Sequence, residues 1–69
     1  MMKLSARNQI KGKVTQVVKG ATNGHVHIDI GNGVTVHASI TNEAIDDLGL
    51  KVGDEAFAVI KASDVMVGK

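Results

Sequence analysis

The sequence contains no cysteine and only one aromatic residue, Phe57. The absence of cysteine excludes disulfides and thiolate metal sites. The scarcity of aromatic rings removes the stacking platform that single-strand nucleic-acid binders use, and we place Phe57 in the predicted core. A chain of 69 residues buries a modest fraction of its surface. Because its aliphatic core has neither disulfides nor metal to support it, we expect a homo-oligomer.

Strong net charge and long apolar runs are also lacking. The formal net charge is +1, so no global field gathers polyanions, and any anion site must be local. No apolar run approaches the roughly 18 residues of a membrane span, and the first residues do not continue into a signal peptide. We therefore expect a cytoplasmic protein with a single domain over residues 1–69.

What the chain does contain is a series of β-branched segments. Residues 10–18 predict a first strand, and apolar alternation over 26–30 and 34–40 predicts a hairpin. A two-residue turn would set inward Ile30 against outward Thr35, whereas a three-residue loop over 31–33 keeps one face apolar. We therefore predict the three-residue loop.

The second half of the sequence predicts one short helix and further strands. Thr41 has the character of a helix cap before residues 43–48, and Gly49 ends that helix. Residues 56–60 predict another strand, and 65–67 form a last short apolar stretch. Four or five strands with a helix between the third and fourth favour a mainly β fold, a small Greek-key barrel of the oligonucleotide/oligosaccharide-binding (OB) type.

Two short segments near the chain ends are rich in side chains that can donate hydrogen bonds, and neither segment contains a carboxylate. Residues 5–9 read SARNQ, and residues 61–63 read KAS. Because side chains two apart on extended backbone share a face, Ser5 and Arg7 form one cation–hydroxyl pair, and Lys61 and Ser63 form another. Such groups suit a small tetrahedral oxyanion. The alternative is that these are ordinary surface cations and turn serines.

Thr41 is a third candidate for anion binding. Its hydroxyl and the backbone amides after it lie at a predicted helix N-terminus. The alternative is a plain N-cap that binds nothing.

The three histidines are candidate metal ligands. The predicted hairpin places His27 opposite His37 on its polar face, with His25 two residues along. Three imidazoles on one face could bind Zn²⁺ or Cu²⁺. The alternative is an exposed or interface-lining histidine face that gives pH sensitivity.

Catalysis finds little support in the sequence. No cysteine nucleophile exists, and no serine lies in a nucleophile-elbow pattern. The adjacent Asp46 and Asp47 would point about 100° apart on a helix, unlike a catalytic dyad. We expect a binding protein that is not an enzyme. The alternative class is a small interaction module that binds a protein or nucleic acid.

The donor segments belong to a wider pattern. SARNQ with the following KGKV, ITNE at 40–43, LGL at 48–50 and VIKASDVM at 59–66 together resemble the molbindins, molybdate-binding proteins built from a single Mop (TOBE-type) domain. The resemblance covers nearly the whole chain. It implies a five-stranded OB-like barrel assembled as a hexamer, a trimer of dimers. It also implies molybdate or tungstate bound at subunit interfaces for storage or homeostasis, without a catalytic cofactor.

The resemblance also implies which residues hold the oxyanion. Ser5 and Arg7 would come from one subunit, and the neighbouring subunit would contribute Thr41, Lys61, Ala62 and Ser63. Ala44 stands where family members often have serine, so one hydroxyl contact would be absent or replaced by a backbone amide.

Overall fold

The chain folds into one antiparallel sheet with a short helix, and the computed structural model describes residues 4–69. The elements are β1 (Asn8–Lys19), β2 (Asn23–Gly31), β3 (Val34–Thr41), α1 (Asn42–Leu48), β4 (Glu55–Ile60) and a 3₁₀ turn (Ala62–Asp64). The prediction of a mainly β fold with the helix between the third and fourth strands is confirmed. No helix in this described part of the chain is long and apolar enough to cross a membrane.

The long strand β1 organises the sheet. Its first half, residues 8–13, pairs with β4, and its second half, from residue 13 to 19, pairs with β2. The order is therefore β3-β2-β1-β4. A bulge between Val14 and Gln16 interrupts the β1–β2 ladder, and such bulges bend a strand and increase its twist. The sheet consequently curls, with β3 and β4 as its two edges.

The core lies on the concave side of the curled sheet. Its buried residues come from every part of the sheet except β3, and from the helix: Val14, Val26, Ile28, Ile45 and Ala58. Gly24 lets α1 approach β2, because a Cβ there would lie 2.6 Å from Ile45 Cδ1 and 2.6 Å from the Val18 carbonyl oxygen. The helix thus closes one end of the core.

The β2–β3 turn differs from the prediction. The apolar pairs Val26–Ala38 and Ile28–Val36 are confirmed, but Gly31 pairs with Val34, which leaves a two-residue turn. The turn residues Asn32 and Gly33 have φ of 54° and 74°, as a type I′ turn requires. The three-residue loop was wrong because a register shift between Asp29 and Gly31 absorbs Ile30 and keeps one face apolar.

The predicted fifth strand is absent from residues 4–69, in which the sheet has four strands. Residues 65–67 follow the 3₁₀ turn without regular structure. Met66 is 94% exposed and Val67 93% exposed. The physical reason is that this stretch pairs with neither free sheet edge of its own chain. The prediction of five strands was therefore wrong for the isolated chain.

Phe57 also lies elsewhere than predicted. It is 44% exposed, whereas its neighbour Ala58 is buried. Both faces of β4 carry apolar side chains, so hydrophobicity alone did not reveal which set of alternate residues points into the core. The small residues Ala56 and Ala58 take the core side, and Phe57 points outward.

Candidate functional site

The sheet register brings the two donor segments together. Asn8 pairs with Ile60 at the end of the β1–β4 ladder, and the Asn8 side-chain amide donates to the Ile60 carbonyl oxygen at 3.2 Å. Arg7 immediately precedes this pair, and Lys61 immediately follows it. The sequence analysis did not identify Asn8 as the residue that joins these segments, although it lies inside the SARNQ motif.

Ser5 and Arg7 face solvent on either side of a buried residue. Ala6 is 9% exposed, and its carbonyl oxygen accepts a hydrogen bond from Gln9 Nε2 at 3.4 Å. Both Ser5 and Arg7 lie at bends before β1, so the shared face, which assumed extended backbone, stays a prediction. Ala6 therefore anchors a segment whose hydroxyl and guanidinium both remain available.

The second donor segment is a turn instead of an extended strand. The Asp64 amide donates to the Lys61 carbonyl oxygen at 2.9 Å, and the Val65 amide donates to that of Ala62 at 3.3 Å. The shared face predicted for Lys61 and Ser63 was wrong, since it assumed extended backbone. The first amides of such a turn have no partner inside it, so Ala62 and Ser63 present backbone donors directly after Lys61 in the chain.

Thr41 caps α1 as predicted. Its Oγ1 accepts a hydrogen bond from the Ala44 amide at 3.1 Å, and Gly49 ends the helix with φ of 62°. A hydroxyl that accepts in this way still has its own hydrogen to donate. The Ala44 amide, by contrast, is already engaged.

Thr41 lies far along the sheet from the cation pair. It pairs with Asn23, next to the Gly24–Lys19 pair at the carboxyl end of β1. Arg7 and Lys61 lie at the amino end of the same strand. Within one chain, the structure therefore brings together the donors from the two termini and leaves Thr41 and Ala44 at the other end of β1.

The charges around the terminal donor segments leave both cations without a partner. The ion pairs among residues 4–69 join Lys11 to Glu55 at 3.3 Å, and Lys19 to Asp46. Arg7 and Lys61 take part in neither of these pairs. Asp64 is the carboxylate nearest in sequence to Lys61, and its backbone amide is used in the turn. This end of the sheet thus carries two uncompensated positive charges.

A large open concavity between β3 and β4 borders the second donor segment, since Ile60 and Asp64 line it. Its volume is about 950 Å³, and most of its walls are aliphatic side chains of β2, β3 and β4. The carboxylates at its rim are Glu55 and Asp64. Apolar walls and negative charge are unfavourable to a dianion, so this concavity is distinct in chemistry from the donor segments.

The three histidines occupy the register positions that were predicted. His27 lies opposite His37, and His25 lies two residues along β2, opposite Ser39. Within the described residues, no group of three or more histidine, cysteine or acidic side chains is arranged to hold a metal ion. The predicted register therefore does not assemble a three-histidine site in this part of the chain.

Comparison with known proteins identifies the family. The model of the TOBE domain matches residues 4–67. A probable molybdenum-pterin-binding protein of Haemophilus influenzae is 52% identical over 67 residues, covering 97% of both chains. The chain belongs to the Mop family of TOBE-domain proteins.

Solved structures of molybdate-binding proteins share the fold as well as the sequence. A molybdate-binding protein from Sporomusa ovata superposes with a TM-score of 0.91 at 35% identity, covering 99% of this chain and 100% of that one. The cytoplasmic molybdate-binding protein ModG, in a form with molybdate bound, gives 0.88 at 43% identity, covering 94% of this chain and 46% of that one. The fold is therefore the OB-like fold of Mop proteins.

Proposed function

We propose that this protein binds molybdate in the cytoplasm for storage or homeostasis, without catalytic turnover. The observation that carries the proposal is the register of β1 and β4, which sets Arg7 and Lys61 at one end of the ladder. Support comes from relatives described as molybdenum-pterin-binding or molybdate-binding proteins, and from ModG, which is described as cytoplasmic. In this proposal residues 1–69 act as one domain.

Molybdate suits a site made of donors. It is a dianion that only accepts hydrogen bonds, and the guanidinium, ammonium, hydroxyl and amide groups at these segments all donate. Phosphate near neutral pH carries a proton, for which the guanidinium, ammonium and amide groups offer no acceptor. Such a mismatch costs roughly 1–3 kcal/mol, or about 5- to 150-fold in affinity. Tungstate, which has nearly the same size and charge as molybdate, is a second ligand of the same site.

We further propose that the site is completed across a subunit interface. In this arrangement Ser5, Arg7, Lys61, Ala62 and Ser63 belong to one subunit, because the β1–β4 register sets Arg7 beside Lys61 in one chain. The neighbouring subunit contributes Thr41, whereas Ala44 adds no donor because its amide already bonds to Thr41 Oγ1. The supporting observation is that Thr41 and Arg7 lie at opposite ends of β1 within one chain. A second chain is the simplest way to bring a Thr41 hydroxyl to an Arg7 guanidinium.

Assembly into a hexamer, a trimer of dimers, fits the surface of the single chain. Both sheet edges are unpaired among the described residues, and the apolar concavity between them opens to solvent. Large apolar side chains such as Phe57, Leu48 and Met66 are exposed. Phe57 and Leu48 both line the concavity, and an exposed apolar patch of this kind marks interaction sites in soluble proteins.

Titration calorimetry with molybdate tests the site. Arg7→Ala and Lys61→Ala should each weaken binding by more than about tenfold, because each removes a charge-assisted donor worth roughly 1.5–3 kcal/mol. Lys51→Ala is the matched control, since this exposed lysine lies in the turn before β4. Molybdate binding equal to wild type in both site variants would overturn the assignment. Retention on single-stranded nucleic acid without molybdate uptake would favour the interaction module instead.

A further inference from the structure

The polar face of the β2–β3 hairpin carries a side-chain pair that the oxyanion site does not use. His27 and His37 are directly cross-strand, with ring centroids 4.2 Å apart and planes inclined by 44°. We propose that this pair is a binding site for a divalent transition-metal ion, Cu²⁺ or Ni²⁺ in preference to Zn²⁺. The bound ion would link the edge strand β3 to its neighbour β2.

The geometry of the pair suits a two-nitrogen chelate. A metal ion lies about 2 Å from each imidazole nitrogen that binds it, so ligands at a right angle have nitrogens roughly 3 Å apart. Rings whose centroids are 4.2 Å apart reach this spacing by rotating their side chains, with no change in the strands. Tetragonal coordination, with water in the other positions, is typical of Cu²⁺ and Ni²⁺, and Cu²⁺ has the highest affinity for nitrogen ligands in the divalent series.

The surroundings of the pair favour a cation. His37 is exposed and His27 is half-buried, so an ion can reach the rings. Asp29 follows two residues after His27 on the same face, and its carboxylate is held by the Gly31 amide at 2.8 Å. Lys13 lies opposite Asp29 on β1, beyond the His27 register position. The other residues in register around the pair carry no carboxylate and no lysine or arginine: Gln16, His25, Thr35 and Ser39.

His25 provides a matched control, because it lies on the same strand and face but opposite Ser39. Calorimetric titration of the full chain with NiCl₂ should show a site in wild type and in His25→Asn. Binding should weaken by more than about tenfold in His27→Asn and in His37→Asn, since either change removes one of the two nitrogen ligands. Ni²⁺ should also raise the thermal unfolding temperature of wild type and His25→Asn only, because a ligand that binds the folded state stabilises it.

A measurement on unmodified protein makes the proposal independent of how the variants fold. Paramagnetic Ni²⁺ or Cu²⁺ at substoichiometric amounts should broaden the imidazole resonances of His27 and His37 before any others. Broadening that begins at the chain terminus or at His25 would overturn the proposal. Equal loss of Ni²⁺ affinity in all three variants, or no loss in any of them, would do the same.

Discussion

At the scale of single residues, Thr41 has two hydrogen-bonding capacities that point to different tasks. Its oxygen accepts from the Ala44 amide and so caps α1, while its hydroxyl hydrogen is free to donate. Helix capping needs only the acceptor, and oxyanion binding needs only the donor. Substitutions that keep one capacity and remove the other therefore separate the two tasks.

We expect the Thr41→Asp variant to retain its helix cap but to bind molybdate more weakly than wild type. Aspartate is at least as good an N-cap as threonine, so the free energy of unfolding should stay within about 0.5 kcal/mol of wild type. Its carboxylate has no hydrogen to donate and repels a dianion, so molybdate affinity should fall by more than tenfold. Chemical denaturation and calorimetry measure the two effects.

Two further variants serve as controls for Thr41. Thr41→Ser retains both capacities and should match wild type in each measurement. Thr41→Ala should lose about 1 kcal/mol of stability with the cap. If Thr41→Asp binds molybdate as wild type does, Thr41 does not contact the ligand.

At the scale of elements, the packing of α1 on β2 depends on one close approach. Gly24 is buried, and any Cβ there would meet the Val18 carbonyl oxygen and Ile45 Cδ1, both at 2.6 Å. Side-chain movement can relieve the contact with Ile45, but the contact with Val18 is to backbone in the neighbouring strand. The close packing of α1 against β1 and β2 therefore requires that residue 24 has no side chain.

Gly24→Ala should destabilise the protein by about 1–3 kcal/mol, the usual cost of adding volume to a packed core. Urea denaturation followed by circular dichroism measures this change. Gly68→Ala is the matched control, because a Cβ at that position meets nothing within 4 Å. Wild-type stability of Gly24→Ala would show that this close packing can open without cost.

At the scale of the whole molecule, the isolated chain leaves an incomplete barrel. The two edge strands β3 and β4 do not pair with each other, and the space between them is a mainly aliphatic concavity. Unpaired edges and exposed apolar side chains are unfavourable in a monomer. Association with other copies would cover both features and bring together donors from different chains.

Native mass spectrometry should therefore find wild type as an oligomer, with hexamer as the expected state. Phe57→Asp and Leu48→Asp should shift the distribution toward monomer, because both residues line the concavity and each change would bury a carboxylate at an apolar contact. Val52→Asp is the control, since Val52 is 65% exposed but does not line the concavity. A monomeric wild type would contradict both the assembly and the shared oxyanion site.

The sequence by itself determined the local features of this protein. The α1 caps at Thr41 and Gly49, the inward pairs Val26–Ala38 and Ile28–Val36, and the donor chemistry of SARNQ all follow from rules that act over a few residues. The family resemblance rested on such motifs as well. These features were readable because their physical causes lie close together along the chain.

Only the tertiary structure decided what depends on partners distant in sequence. The bulge at Ile30 and the outward position of Phe57 follow from ladder pairing and core packing, which local patterns do not specify. The Asn8–Ile60 pair joins residues 52 positions apart and sets Arg7 beside Lys61. The edges of the sheet likewise depend on the tertiary fold of the described residues, because a strand is an edge only when no other strand pairs with one of its sides.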